Sequence, residues 1–170
     1  MSIAVTPVSN VLTFGSKGPT VRQLQRNLNS RFESLGIVSM ISVFIDGFFG
    51  PETLNAVKYL QCVGGLPVNG RVDDVTWDFV QRGVVALPIL SLGCDSTSVL
   101  AVQQVMLRTE VRVLPDGRFD AKTEQAVKAY QQRLGLGVDG IVGPQTWEPV
   151  VRSRLTELPC ASLLPNPYPA

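Results

Sequence analysis

The chain carries the same pattern twice, and a fixed internal repeat limits the available folds more than any other feature of it. Asp46-Gly47-Phe48-Phe49-Gly50-Pro51-Glu52-Thr53 lines up with Asp116-Gly117-Arg118-Phe119-Asp120-Ala121-Lys122-Thr123. Without a gap, Ala56-Val57-Lys58 then meets Ala126-Val127-Lys128, Gln61 meets Gln131, and Gly65-Leu66 meets Gly135-Leu136. Further on, Val68, Gly70, Val72, Thr76, Trp77 and Val80 meet Val138, Gly140, Val142, Thr146, Trp147 and Val150. Upstream the match resumes in a shifted register, with Gly15, Val21, Leu24, Gln25 and Leu28 against Gly93, Val99, Val102, Gln103 and Met106. The shift leaves extra residues in the first copy, so 33–43 reads as a loop insert. The expected organisation is a module over 10–83, a second over 88–152, and a C-terminal tail over 153–170. The join between the modules is short and apolar, so they are expected to touch.

A shorter echo runs inside each copy: Asp or Asn, Gly, any residue, an apolar residue, Gly or Asp, two residues, then Thr. It begins at Asp46, Asn69, Asp116 and Asp139. Each Asx-Gly pair suits a turn with positive φ, as at Gly47, Gly117 and Gly140. The apolar residue that follows (Phe49, Val72, Phe119, Val142) points to a core. Gly50, Asp73, Asp120 and Gly143 then fall at helix N-caps, and Pro51 and Pro144 suit a first helical position. Helical spacing recurs in Val21, Leu24, Leu28 and Phe32, and in Ala126, Val127, Tyr130 and Leu134. Trp77 and Trp147 open a short third helix in each copy and read as core anchors. The fold class is therefore all-α: two tandem three-helix bundles of orthogonal type, with short turns and an extended Pro-rich tail.

Chemistry is constrained by what is missing. The 170 residues contain no histidine. Nucleophile systems that need an imidazole base, and zinc hydrolase sites that need imidazole ligands, are excluded within this chain. Asp46 and Asp116, or Glu52 and Glu124, could be imagined as glycosidase carboxylates. Their symmetric places at turns and helix starts fit capping better. Calcium loops of the EF-hand type need oxygen donors at alternating positions before the glycine, and the residues there do not supply them. No metal and no cofactor is implied. A net charge of +1, with scattered Lys and Arg, argues against nucleic acid. No apolar run reaches the ~20 residues of a membrane helix. Residues 1–7 lack the features of a secretory signal. Cys62, Cys94 and Cys160 show no CxxC spacing; they read as buried or incidental thiols, with one disulfide and a leftover thiol as the alternative.

The combination of Val-Arg-Gln-Leu-Gln in a first helix, Asp-Gly-x-Phe-Gly-Pro-x-Thr, and the closing Gly-Leu-x-Val-Asx-Gly-x-Val-Gly-Pro-x-Thr-Trp resembles the peptidoglycan-binding domains of the type 1, three-helix class. The resemblance covers both modules. It implies noncatalytic attachment to bacterial peptidoglycan or muropeptide, with no enzyme activity in this chain, and a place in the cell envelope, anchoring or targeting a partner. The rival expectations are a protein-interaction or structural component of an envelope or phage-tail-like assembly, with another envelope protein as partner, and an accessory part of a wall hydrolase. Departures are the 33–43 insert, the turn at Asn69 without Gly-Pro, and Cys94-Asp95-Ser96 before the first helix of the second copy. The candidate ligand contacts are Tyr59, Gln61, Arg71, Arg118 and Gln131, because packing forces them least; plain solvated surface is the alternative for each.

Overall fold

The computed structural model describes residues 11–155 and 160–164. Among them are six α-helices and no strand: α1 (Pro19–Ser34), α2 (Pro51–Val63), α3 (Asp74–Arg82), α4 (Thr97–Met106), α5 (Ala121–Arg133) and α6 (Pro144–Arg154). Two 3-10 turns, Gly83–Ala86 and Cys160–Leu163, complete the described elements. The all-α class expected from the repeat holds, with α1–α3 as one copy and α4–α6 as the other.

Local chemistry explains where the helices start. Pro19, Pro51 and Pro144 each stand at a first helical position, where a missing N–H leaves nothing unsatisfied. The other three helices have side-chain caps. Ser96 accepts from the Val99 N–H, Asp73 from the Thr76 N–H, and Asp120 from the Thr123 N–H. Val21, Leu24, Gln25, Leu28 and Phe32 bury one face of α1.

The buried apolar residues of both copies form a single contiguous cluster. Several contacts tie the copies together. The Gly65 carbonyl accepts from Thr97 Oγ1 and Ser98 Oγ at the start of α4. Gly65 has a φ of +67°, and a Cβ there would lie 2.7 Å from the Ala101 side chain, so only glycine permits this approach. The buried Arg154 guanidinium donates to the carbonyls of Cys62 and Ala101 and to Gln104 Oε1. Tyr59 donates its hydroxyl to the Leu155 carbonyl. A disulfide joins Cys62 on α2 to Cys160, while Cys94 is a free, half-buried thiol.

Three expectations need correction. The tail over 153–170 is not one extended piece. Residues 153 and 154 close α6, and Cys160–Leu163 is a 3-10 turn held on α2 by the disulfide. Residues 156–159 and 165–170 lie outside the described residues, as does residue 10 at the expected start of the first module. The cysteines resolve to the alternative, one bridge and one leftover thiol. The two tryptophans differ. Trp147 is fully buried, its indole N–H donating to the Pro88 carbonyl and its ring beside Gly65 of the other copy. Trp77 is only half-buried, and Phe79 fills the core on its helix. The second copy packs its tryptophan against the first, whereas Trp77 lies against the core from a half-buried position.

The insert does more than loop out. Ile37, Ile41 and Val43 bury against the first copy. The Asn29 side chain clasps the Val43 backbone with two bonds, Nδ2 to the carbonyl at 2.8 Å and Oδ1 from the N–H at 2.9 Å. This fixes the chain where it enters the turn at Asp46.

Candidate functional site

The four echoes form four copies of one polar latch. In the first, Gln25 sits buried on α1. Its Nε2 donates to Asp46 Oδ1, the Phe48 carbonyl and Thr53 Oγ1, and its Oε1 accepts the Gly47 N–H. Gln61 does the same with Asn69, the Arg71 carbonyl, Thr76 and Gly70. Gln103 binds Asp116, the Arg118 carbonyl, Thr123 and Gly117. Gln131 binds Asp139, the Ile141 carbonyl, Thr146 and Gly140. Each glutamine thus locks a turn to the helix that follows it, leaving no buried side-chain polar atom without a partner among the described residues.

This settles the place of three candidate ligand contacts. Gln61 and Gln131 are buried, and their amides are spent on the latches, so neither offers a group to a ligand. Tyr59 is fully buried, with its hydroxyl on Leu155; burial pushes that phenol up to about 12. Arg71 and Arg118 are exposed at turns of different copies. Arg118 faces Asp95 at 3.9 Å across open solvent.

The acids of the turns are anionic acceptors. The Phe48 N–H and then the Gln25 amide hold the Asp46 carboxyl below the usual carboxylate range. The Arg118 N–H and Gln103 do so for Asp116, and the Ile141 N–H and Gln131 for Asp139. A proton-donating carboxyl group needs the opposite shift.

One surface feature is not accounted for by folding. A groove of about 510 Å³ is lined by Gln25, Phe44, Asp46, Phe48, Gly50, Pro51, Glu52 and Thr53. Its walls are Phe44, 76% exposed, and Phe48, 39% exposed. The Phe48 ring leans over Gly50, where a Cβ would meet it at 3.2 Å, and Lys17 Nζ stands 5.3 Å from its centroid. Glu52, in the first turn of α2, supplies a carboxylate at the rim. In the second copy the matching residues are Leu114, Arg118, Asp120 and Lys122, and the Lys17–Phe48 contact is replaced by the Asp95–Arg118 pair.

Sequence reasoning passed over Phe44 and Phe48 as ligand contacts and read Glu52 only as a cap. The signal was available: the repeat keeps Phe49 as Phe119 but changes Phe48 to Arg118. The fold therefore does not require an aromatic there.

Comparison with known proteins gives a consistent result. The family described as "Putative peptidoglycan binding domain" matches residues 17–80 and 96–148, one segment in each copy. The "Probable N-acetylmuramoyl-L-alanine amidase" of Bacillus licheniformis is 29% identical over 80% of this chain and 43% of its own length. The N-acetylmuramoyl-L-alanine amidase CwlL of the same organism is 31% identical over 56% of this chain and 27% of its own. The chain spans less than half the length of these two amidases. A solved peptidoglycan-binding protein from Clostridioides difficile, in complex with glutamine hydroxamate, is 33% identical over 39% of this chain and 42% of its own, with a TM-score of 0.37.

Proposed function

This chain belongs to the peptidoglycan-binding domain family, and on that premise we infer that it attaches to bacterial cell-wall peptidoglycan without performing chemistry on it. The observation that carries this reading is the family match in both copies, which takes in most of the helical body.

The chemistry of the chain supports a binding role. There is no histidine to act as a base near neutral pH. The repeated aspartates are held low by backbone N–H groups, which suits them to fix turns. An envelope location agrees with the Cys62–Cys160 bridge, because disulfides persist in oxidising compartments. The surface best suited to the wall is the groove between Phe44 and Phe48, with aromatic walls and the carboxylates of Asp46 and Glu52 in its lining. Wall attachment of this kind would hold a partner domain or protein at its substrate.

Sedimentation with purified sacculi tests the reading. The full chain is expected in the pellet, with no release of soluble wall fragments. A chain that stays in the supernatant counts against attachment, and release of fragments counts against the noncatalytic part.

A further inference from the structure

We propose that the Cys62–Cys160 bridge is a reducible clasp on the junction of the two copies, opened by thiol–disulfide exchange with an external dithiol, and that Arg154 favours its opening. The proposal is independent of wall attachment and concerns how the two copies are held together.

The bridge sits where the copies meet. It joins α2 of the first copy to the Cys160–Leu163 turn that follows the second. A guanidinium stands against it, with Arg154 Nη2 3.8 Å from Cys62 Sγ and 3.6 Å from Cys160 Sγ. The same side chain donates to the Cys62 and Ala101 carbonyls and to Gln104 Oε1, so its charge is fixed beside the sulfurs. A closed disulfide is neutral and gains little from a cation. An opened one presents thiolate sulfur, which a cation at this distance stabilises. Burial alone works the other way, because a thiolate in dry surroundings loses its hydration. Arg154 offsets that cost in the reduced state, and a stabilised reduced state makes a disulfide easier to open. Of the other elements packed here, α2 brings Tyr59, a neutral phenol on the Leu155 carbonyl, and Lys58, which leans over Gly70. Helix α4 brings the neutral Gln104, and the turn Cys160-Ala161-Ser162-Leu163 brings no charge besides a Cys160 thiolate.

Access decides which sulfur reacts. Cys160 is fully enclosed, whereas Cys62 is 5% exposed and lines a cleft of about 190 Å³ between the copies. The dithiol's thiolate therefore attacks Cys62 Sγ. The S–S bond breaks, and its electron pair leaves on Cys160 Sγ, the sulfur nearer Arg154. The reductant's second thiol gives up its proton and attacks its own sulfur in the mixed disulfide, expelling the Cys62 thiolate. Two electrons pass to the bridge, the dithiol ends as a disulfide, and its two protons go to the released sulfurs or to solvent. Opening frees the turn from its covalent hold on α2 and leaves the copies joined by packing and hydrogen bonds.

The test equilibrates the full chain with mixtures of reduced and oxidised dithiothreitol and counts free thiols by alkylation and mass, with Cys94 adding one label in every state. Arg154→Gln should make opening about tenfold harder, about 30 mV in a two-electron couple. Arg154→Lys keeps a cation and should stay within about threefold of the parent. If Arg154 only braced the junction, Arg154→Gln would loosen the docked copies and make opening easier. That result, or no change, overturns the proposal, as does Arg154→Lys shifting as far as Arg154→Gln. A second measurement does not depend on a variant that folds. Alkylation rates against pH in the reduced parent chain, assigned by peptide mapping, should show Cys62 or Cys160 titrating clearly below the ordinary ~8.5 of a cysteine thiol. Both thiols at or above that value overturn the proposal.

Discussion

Trp147 shows how much one residue's place in the sequence leaves open. It matches Trp77 in the repeat, yet Trp147 is fully enclosed at the junction and Trp77 is half-buried. Replacing Trp147 by alanine removes a large side chain from a packed site and orphans the Pro88 carbonyl. The expected loss is about 3–5 kcal/mol in urea denaturation. Trp77→Ala should cost clearly less, because part of its ring already faces solvent. Equal losses would mean that the junction contributes nothing beyond the bundle core. The latch glutamines teach the same lesson in the other direction. A polar residue at a helical position with an unforced pattern suggests surface, but each of the four is buried because a turn folds over it. The signal lay in the Thr seven residues after each Asx, which marks the far side of the latch.

At the scale of elements, the unit is a turn plus the helix it starts. Three of the four turns carry an aspartate whose carboxyl is held low by the backbone N–H two residues on. In the unfolded chain these groups return to about 3.9, so below that pH the unfolded state binds more protons. Stability from the turns is then complete above about pH 4 and is lost as pH falls through the lower folded values. Melting temperature should be level near neutrality and drop in acid. The fourth turn offers a natural control, since Asn69 accepts from the Arg71 N–H without a charge. The triple variant Asp46→Asn, Asp116→Asn, Asp139→Asn should therefore fold and show a shallower acid slope. An unchanged slope would place the acid sensitivity elsewhere.

At the scale of the whole molecule, the two copies behave as one body. They share a contiguous buried cluster, and the Cys62–Cys160 bridge closes a loop with a sequence separation of 98. Closing a loop of about 100 residues constrains the unfolded chain by about 4–5 kcal/mol on the chain-entropy account. The Cys62→Ala, Cys160→Ala double variant should lose stability of that order in urea denaturation, with the Cys160–Leu163 turn released from α2. No measurable loss would leave the bridge without a role in holding the copies together. No helix of the described residues is long and apolar enough to cross a membrane.

The order of residues alone determined the two copies, the helical class, the turn positions and the family, because each follows from local rules. Asx-Gly favours a turn, Pro suits a helix start, and apolar residues three and four apart share a face. Tertiary structure decided what depends on residues distant in sequence. It buried Tyr59, Gln61 and Gln131, paired Cys62 with Cys160, enclosed one tryptophan and not its match, and set Phe44 beside Phe48 as a groove. Burial is a property of the neighbours a fold supplies. A sequence repeat conserves local conformation but cannot conserve surroundings, since the first copy has the second packed on its α2 and the second copy has no described counterpart on its α5.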